Sequence, residues 1–127
     1  MIKKLSPDSV FLPVPHYVAA THISPASEWV VTSGQVGITP DGAIAAGLEQ
    51  QTTVALENVF RILSDAGMTM DNIVKLNFFV KEGENVEDLR KARNRLMPNT
   101  PVASTIVFIS GLVVDELLVE IDCTAAS

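Results

Sequence analysis

An α+β domain is predicted for this chain: a mixed β-sheet with two helices packed on one of its faces. Three observations carry that prediction. Two segments repeat apolar residues at helical spacing, several others alternate with period two, and each helical segment lies between two alternating ones. A helix that joins two strands in this way implies a crossover and therefore some parallel pairing. At 127 residues the chain is expected to be one domain, residues 1–127.

Residues 1–25 hold four of the seven prolines, Pro7, Pro13, Pro15 and Pro25. That density predicts a short edge strand followed by extended loop. Glu28 to Ser33 is rich in β-branched and aromatic residues and stops at Gly34, so it reads as a strand. Thr39-Pro40-Asp41-Gly42 is a turn signal, with room for one extra short strand near Gly42–Ala45. Gly47 to Ala66 is the first helix. Leu48, Thr52, Ala55, Val59, Ile62 and Ala66 make its stripe, widened by Leu56 and Leu63, and Gly67 sits where a left-handed residue ends it.

Asp71 to Lys81 alternates. Val74, Leu76, Phe78 and Val80 form a purely apolar face, and Ile73, Lys75, Asn77, Phe79 and Lys81 a mixed one. Val86 to Met97 is the second helix, and Arg90, Lys91, Arg93 and Arg95 near its end read as a solvated face that suits the helix dipole. Pro98 and Pro101 bracket its exit. Strands at Ala103–Ser110 and Leu117–Cys123 close an order β-β-α-β-α-β-β. In the last strand Leu117, Val119, Ile121 and Cys123 share the core face, while Leu118, Glu120 and Asp122 share the other.

Composition narrows the function. The net charge of −6 argues against an electrostatic grip on nucleic acid or an anionic membrane. One cysteine, Cys123, allows no disulfide within the chain and reads as a small buried hydrophobe. Two lysines near the start have no apolar run behind them, and no stretch has the length of a membrane span; the expected location is cytoplasmic. Neither a phosphate-binding glycine loop nor an HExxH motif occurs, and His16 and His22 are too isolated to make a metal pair. No metal and no cofactor is therefore expected. Neither Ser33 nor Ser104 sits in a nucleophile elbow. Glu120 stands out: either a solvent-facing strand carboxylate, or one that faces a cavity between subunits.

The chain also carries an ordered set of motifs. They are Val31-Thr32-Ser33-Gly34-Gln35-Val36-Gly37, Glu49-Gln50-Gln51-Thr52, Ala55-Leu56-Glu57-Asn58-Val59, Asp71-Asn72-Ile73-Val74-Lys75, Val80-Lys81, Pro101 to Thr105, and Val119-Glu120-Ile121. In this order and spacing the chain resembles the YjgF/RidA family, reactive-intermediate deaminases also called L-PSP endoribonucleases. The resemblance implies a chorismate-mutase-like fold and a homotrimer whose sheets form a central barrel, with small-molecule clefts between neighbouring subunits. Deaminating members hydrolyse 2-imino or 2-enamino acids. In them an arginine just after the proline that opens the fifth strand grips the substrate carboxylate, as a bidentate guanidinium can.

Here that place is held by Ala103. Tyr17, Ser33 and Gly34 match the family's pocket positions, Thr105 stands where many members have cysteine or another small residue, and Arg90 replaces a common asparagine. Glu120 matches the glutamate assigned to positioning the hydrolytic water. Each match has a plainer alternative: Tyr17 packing an interface, Ser33 and Gly34 ending a strand. The expected partners are further copies of the chain and a small metabolite, with no nucleic acid and no membrane. Three functions stay open. One is metabolite binding without the standard deaminase reaction. Another is an imine or enamine hydrolase on an altered substrate, with Glu120 directing water and Arg90 or another group replacing the arginine. The third is a structural trimer with a vestigial cleft.

Overall fold

A computed structural model describes residues 1–11 and 18–127. Among the described residues ten elements follow one another: β1 (Ile2–Leu5), β2 (Ala20–Ile23), β3 (Trp29–Val31), β4 (Gln35–Val36), α1 (Gly47–Asp65), a 3-10 turn (Met70–Asn72), β5 (Ile73–Lys81), α2 (Val86–Leu96), β6 (Ala103–Ile109) and β7 (Val119–Ala126). β3, β7, β5 and β6 lie side by side in that order, and β4 also pairs with β7. β5 and β6 run parallel, joined by the α2 crossover, and the pairings with β7 are antiparallel. The sheet is thus mixed, with both helices on one face, as the alternation of elements predicts.

α1 forms where the periodicity places it. Leu48, Gln51, Thr52, Ala55, Leu56, Val59 and Leu63 are its buried stripe. It ends in a Schellman motif: Gly67 has φ 72°, its N–H reaches Ser64 O, and Met68 N–H reaches Leu63 O at 2.8 Å. The sheet side of the core is Ile73, Leu76, Phe78 and Val80 from β5 with Val119, Ile121, Cys123 and Ala125 from β7.

Four features depart from the sequence expectations. Ile73 belongs to the core, whereas Val74 is only partly buried, the reverse of simple alternation. A bulge causes this: β7 advances one residue from Ala125 to Thr124 while β5 advances two, from Ile73 to Lys75. Arg93 is buried rather than solvated; its guanidinium donates to Met97 O at 3.0 Å and Thr100 O at 2.5 Å, satisfying carbonyls beyond the end of α2. Near Gly42–Ala45 there is one bridge, Ile38 to Ile44, instead of a strand. The N-terminal segment supplies two strands, since β1 pairs antiparallel with β2 in a separate ribbon. The ribbon is tied to the sheet where Thr21 Oγ1 donates to Val74 O, the carbonyl freed at the bulge.

Candidate functional site

The face of the sheet away from the helices is laid out by register. Phe79 of β5 lies between Glu120 of β7 and Val107 of β6. One row along, Asn77 lies between Asp122 and Thr105, and one further, Lys75 lies between Thr124 and Ala103. Pairing keeps these residues on a common face. Asn77 Nδ2 donates to Asp122 Oδ1 at 2.8 Å, and Lys75 Nζ to Thr105 Oγ1 at 2.8 Å. Lys81, at the far end of β5, is held by Asp115 at 3.2 Å.

Glu120 meets Gly34 here. β3 and β4 are two pieces of one path along β7, interrupted at Thr32 to Gly34. At the interruption Thr32 keeps contact through its side chain: Cys123 N–H donates to Thr32 Oγ1 at 3.0 Å. The chain then passes over Glu120 so closely that a methyl group added at Gly34 would fall 2.5 Å from Oε2 and 2.8 Å from Cγ. A residue without a side chain is thus what lets the carboxylate occupy this space. Glu120 itself is partly buried. Ser33, beside it, is exposed, and its carbonyl accepts from Gln35 Nε2 at 3.2 Å.

The structure therefore brings Ser33, Gly34 and Glu120 together, and it brings Ala103, Thr105 and Lys75 together. Within one chain the two groups are separate, since β6 and β7 flank β5, a spacing of about 9–10 Å between their backbones. Arg90 joins neither group: it lies on α2, over the opposite face, paired with Glu87 at 2.5 Å. Tyr17 and His16 lie outside the described residues. Cys123 faces the core, and burial pushes its thiol up to about 12, helped by the neighbouring Asp122 charge. That is the small buried hydrophobe read from the sequence. A concavity of about 580 Å³ lies in the N-terminal segment, lined by Lys4, Leu5, Ser6, Pro7, Val10, Ala19 and Ala20. None of the described site candidates lines it; those that are described lie on the sheet face or, for Arg90, on α2. Lys75 is a charged group beside these candidates that the sequence does not single out. Its mixed strand face was legible, but its pairing with Ala103 depends on a parallel register that the sequence alone leaves open.

Several motif residues turn out to hold the scaffold under this site. Gln51, buried on α1, accepts from Leu118 N–H at 2.7 Å and donates to Ala45 O and Glu116 O. Asn58 donates to Val36 O and Ile38 O, fixing the end of β4 against α1. Asn72 closes a capping box with Thr69 and donates to Ala126 O at the end of β7.

With fold and face described, comparison with known proteins places the chain. It belongs to the Endoribonuclease L-PSP family, whose pattern matches residues 9–127, the family also called YjgF/RidA. The mitochondrial protein MMF1 of Saccharomyces cerevisiae is 32% identical over 112 residues, 87% of this chain and 77% of its own. A 2-iminobutanoate/2-iminopropanoate deaminase of Salmonella typhimurium is 43% identical over 54 residues, 42% of each chain. The crystal structure of YyfB of the Rid family from Yersinia pestis superposes with a TM-score of 0.87 at 23% identity, covering 99% of this chain and 98% of that one, and so shares its fold. The MMF1 match corrects the cytoplasmic expectation: this fold also serves in a protein named as mitochondrial. The missing apolar run near Lys3 and Lys4 carries no compartment. Among the described residues no helix is long and apolar enough to cross a membrane.

Proposed function

We propose that this protein is a homotrimer that binds a small metabolite in clefts between subunits, and that it does not run the family's standard 2-imino acid deaminase reaction. The observation that carries the reading is the composition of the sheet face. Glu120 is seated against Gly34 as a site glutamate would be, while the arginine position is the small, buried Ala103 at the start of β6. An alanine offers no donor to a carboxylate, and losing a charge-assisted contact costs about 1.5–3 kcal/mol in binding alone. Arg90 is no substitute within the chain, since it points from the other face and is engaged by Glu87. The three-subunit arrangement rests on family membership and on the apolar part of the same face.

A second reading has one observation in its favour. Among the described residues the Glu120 carboxylate has no hydrogen-bond or ion-pair partner, which leaves both oxygens free to orient a water. An imine or enamine hydrolase acting on an altered substrate would use it so. One assay separates the two. Imines are generated in situ by an amino-acid oxidase, and semicarbazide trapping reports their lifetime. Binding without standard turnover predicts little or no acceleration, with or without Glu120→Ala. Fast hydrolysis that disappears in Glu120→Ala would overturn it in favour of the hydrolase. Ala103→Arg is the complementary variant, expected to increase affinity for a carboxylate if the rest of the cleft is intact.

A further inference from the structure

We propose that Lys75 and Thr105 form the anion-binding end of this site and hold a small metabolite by a single carboxylate. The inference rests on the metabolite-binding reading above and supplies the charge that Ala103 lacks. Lys75 is the register partner of Ala103, so its side chain rises beside the position where an arginine stem would start. Its ammonium donates to Thr105 Oγ1 at 2.8 Å. Proton accounting then favours an anion. An ammonium has three donors and no acceptor, so two N–H groups remain. A threonine hydroxyl that accepts from lysine still has its own O–H to donate. The two side chains thus present converging donors to one ligand, in place of the two parallel donors of a guanidinium.

Four of the other cations are ion-paired, whereas Lys75, like Lys3, Lys4 and Arg61, has no carboxylate within ion-pair distance among the described residues. On the same face Lys81 is bound by Asp115 at 3.2 Å. On the helices, Arg90 is bound by Glu87, Lys91 by Asp88 and Arg95 by Glu49. The nearest acid to Lys75 by register is Asp122, one row away and engaged by Asn77. Asp122 and Glu120 also make the face less favourable for a dianion, so a monoanionic carboxylate is preferred over the phosphate dianion. Lysine provides a point charge rather than a planar fork, so this site discriminates less sharply by carboxylate orientation than an arginine would.

The test is an amide NMR titration of the assembled protein at fixed ionic strength. The probes are 2-hydroxybutanoate, which cannot condense with an amine, and inorganic phosphate, both at a mildly alkaline pH where phosphate is the dianion. Saturable shifts at Lys75, Ala103 and Thr105 are expected with the carboxylate and not with phosphate. Lys75→Gln should weaken 2-hydroxybutanoate at least about tenfold, Lys75→Arg should retain it, and Thr105→Val should weaken it several-fold. Undiminished binding in both Lys75→Gln and Thr105→Val overturns the assignment while leaving a metabolite cleft in place. Phosphate binding as well as the carboxylate would overturn the monoanion preference. No binding of either probe by the parent overturns the anion site; the cleft itself is then judged by whether Ala103→Arg creates carboxylate binding.

Discussion

The space above Glu120 holds either its carboxylate or a side chain at position 34, and Gly34 resolves the competition. Gly34→Ala cannot be relieved by a rotation of the carboxylate alone, because the added methyl would also lie 2.8 Å from Glu120 Cγ. The whole glutamate side chain must leave its rotamer or the backbone must shift, an overpacking cost of about 1–3 kcal/mol. The cost should vanish when the glutamate is shortened, since the clash is with that residue. We therefore expect Gly34→Ala to lower the urea midpoint in the parent and to be near neutral in a Glu120→Ala background, a coupling that a double-mutant cycle measures directly. Equal effects in both backgrounds would mean that Gly34 serves the backbone path between β3 and β4 and not the carboxylate.

At the scale of elements, Gln51 links α1 to the entry of β7. Its side chain makes three hydrogen bonds, to Leu118 N–H, Ala45 O and Glu116 O, in a position 2% exposed. Close packing of Gly37 against it leaves no room for a wetter arrangement, as a methyl there would fall 2.5 Å from Gln51 Cβ. Gln51→Ala should cost about 2–3 kcal/mol by stranding those backbone groups, read as a lower denaturant midpoint at unchanged m. The same residue shows what the sequence could tell. The stripe Leu48 to Leu63 made α1 legible, and period two made β5 and β7 legible, because burial imposes those periods directly. Glu120 was singled out for the same reason. What the pattern hid were effects of pairing: the bulge that puts Ile73 rather than Val74 in the core, and the parallel register that sets Lys75 beside Ala103. Arg93 reads as solvated because a helix-end arginine that donates to the carbonyls of Met97 and Thr100 has the same local sequence as one in water.

Over the whole molecule, the helix-free face is the unresolved surface of the fold. Val107 is 40% exposed and Val31 75% exposed on it, with Phe79 partly covered, whereas Leu118, expected on this face, packs against the core instead. β6 is moreover an edge strand, with β5 on one side and no strand on the other among the described residues. Open apolar surface and an open sheet edge in one place are what a folded chain avoids in isolation. A closed ring of copies, as proposed above, would bury the face on every subunit and would bring the Ser33–Gly34–Glu120 corner of one copy towards a neighbour, whereas the single chain keeps that corner apart from Lys75 and Thr105. Light scattering at micromolar concentration should give about three times the 13.7 kDa chain mass. Val107→Glu adds a carboxylate to the middle of that face. On a solvated surface such a change stays within about 0.5 kcal/mol, whereas in a buried interface it must desolvate a charge in every subunit. The variant should therefore fall to the mass of one chain while keeping its far-ultraviolet circular dichroism. A parent that already runs as one chain would remove both the ring and the shared cleft, and a Val107→Glu variant that keeps the mass of three would move the interface to another surface.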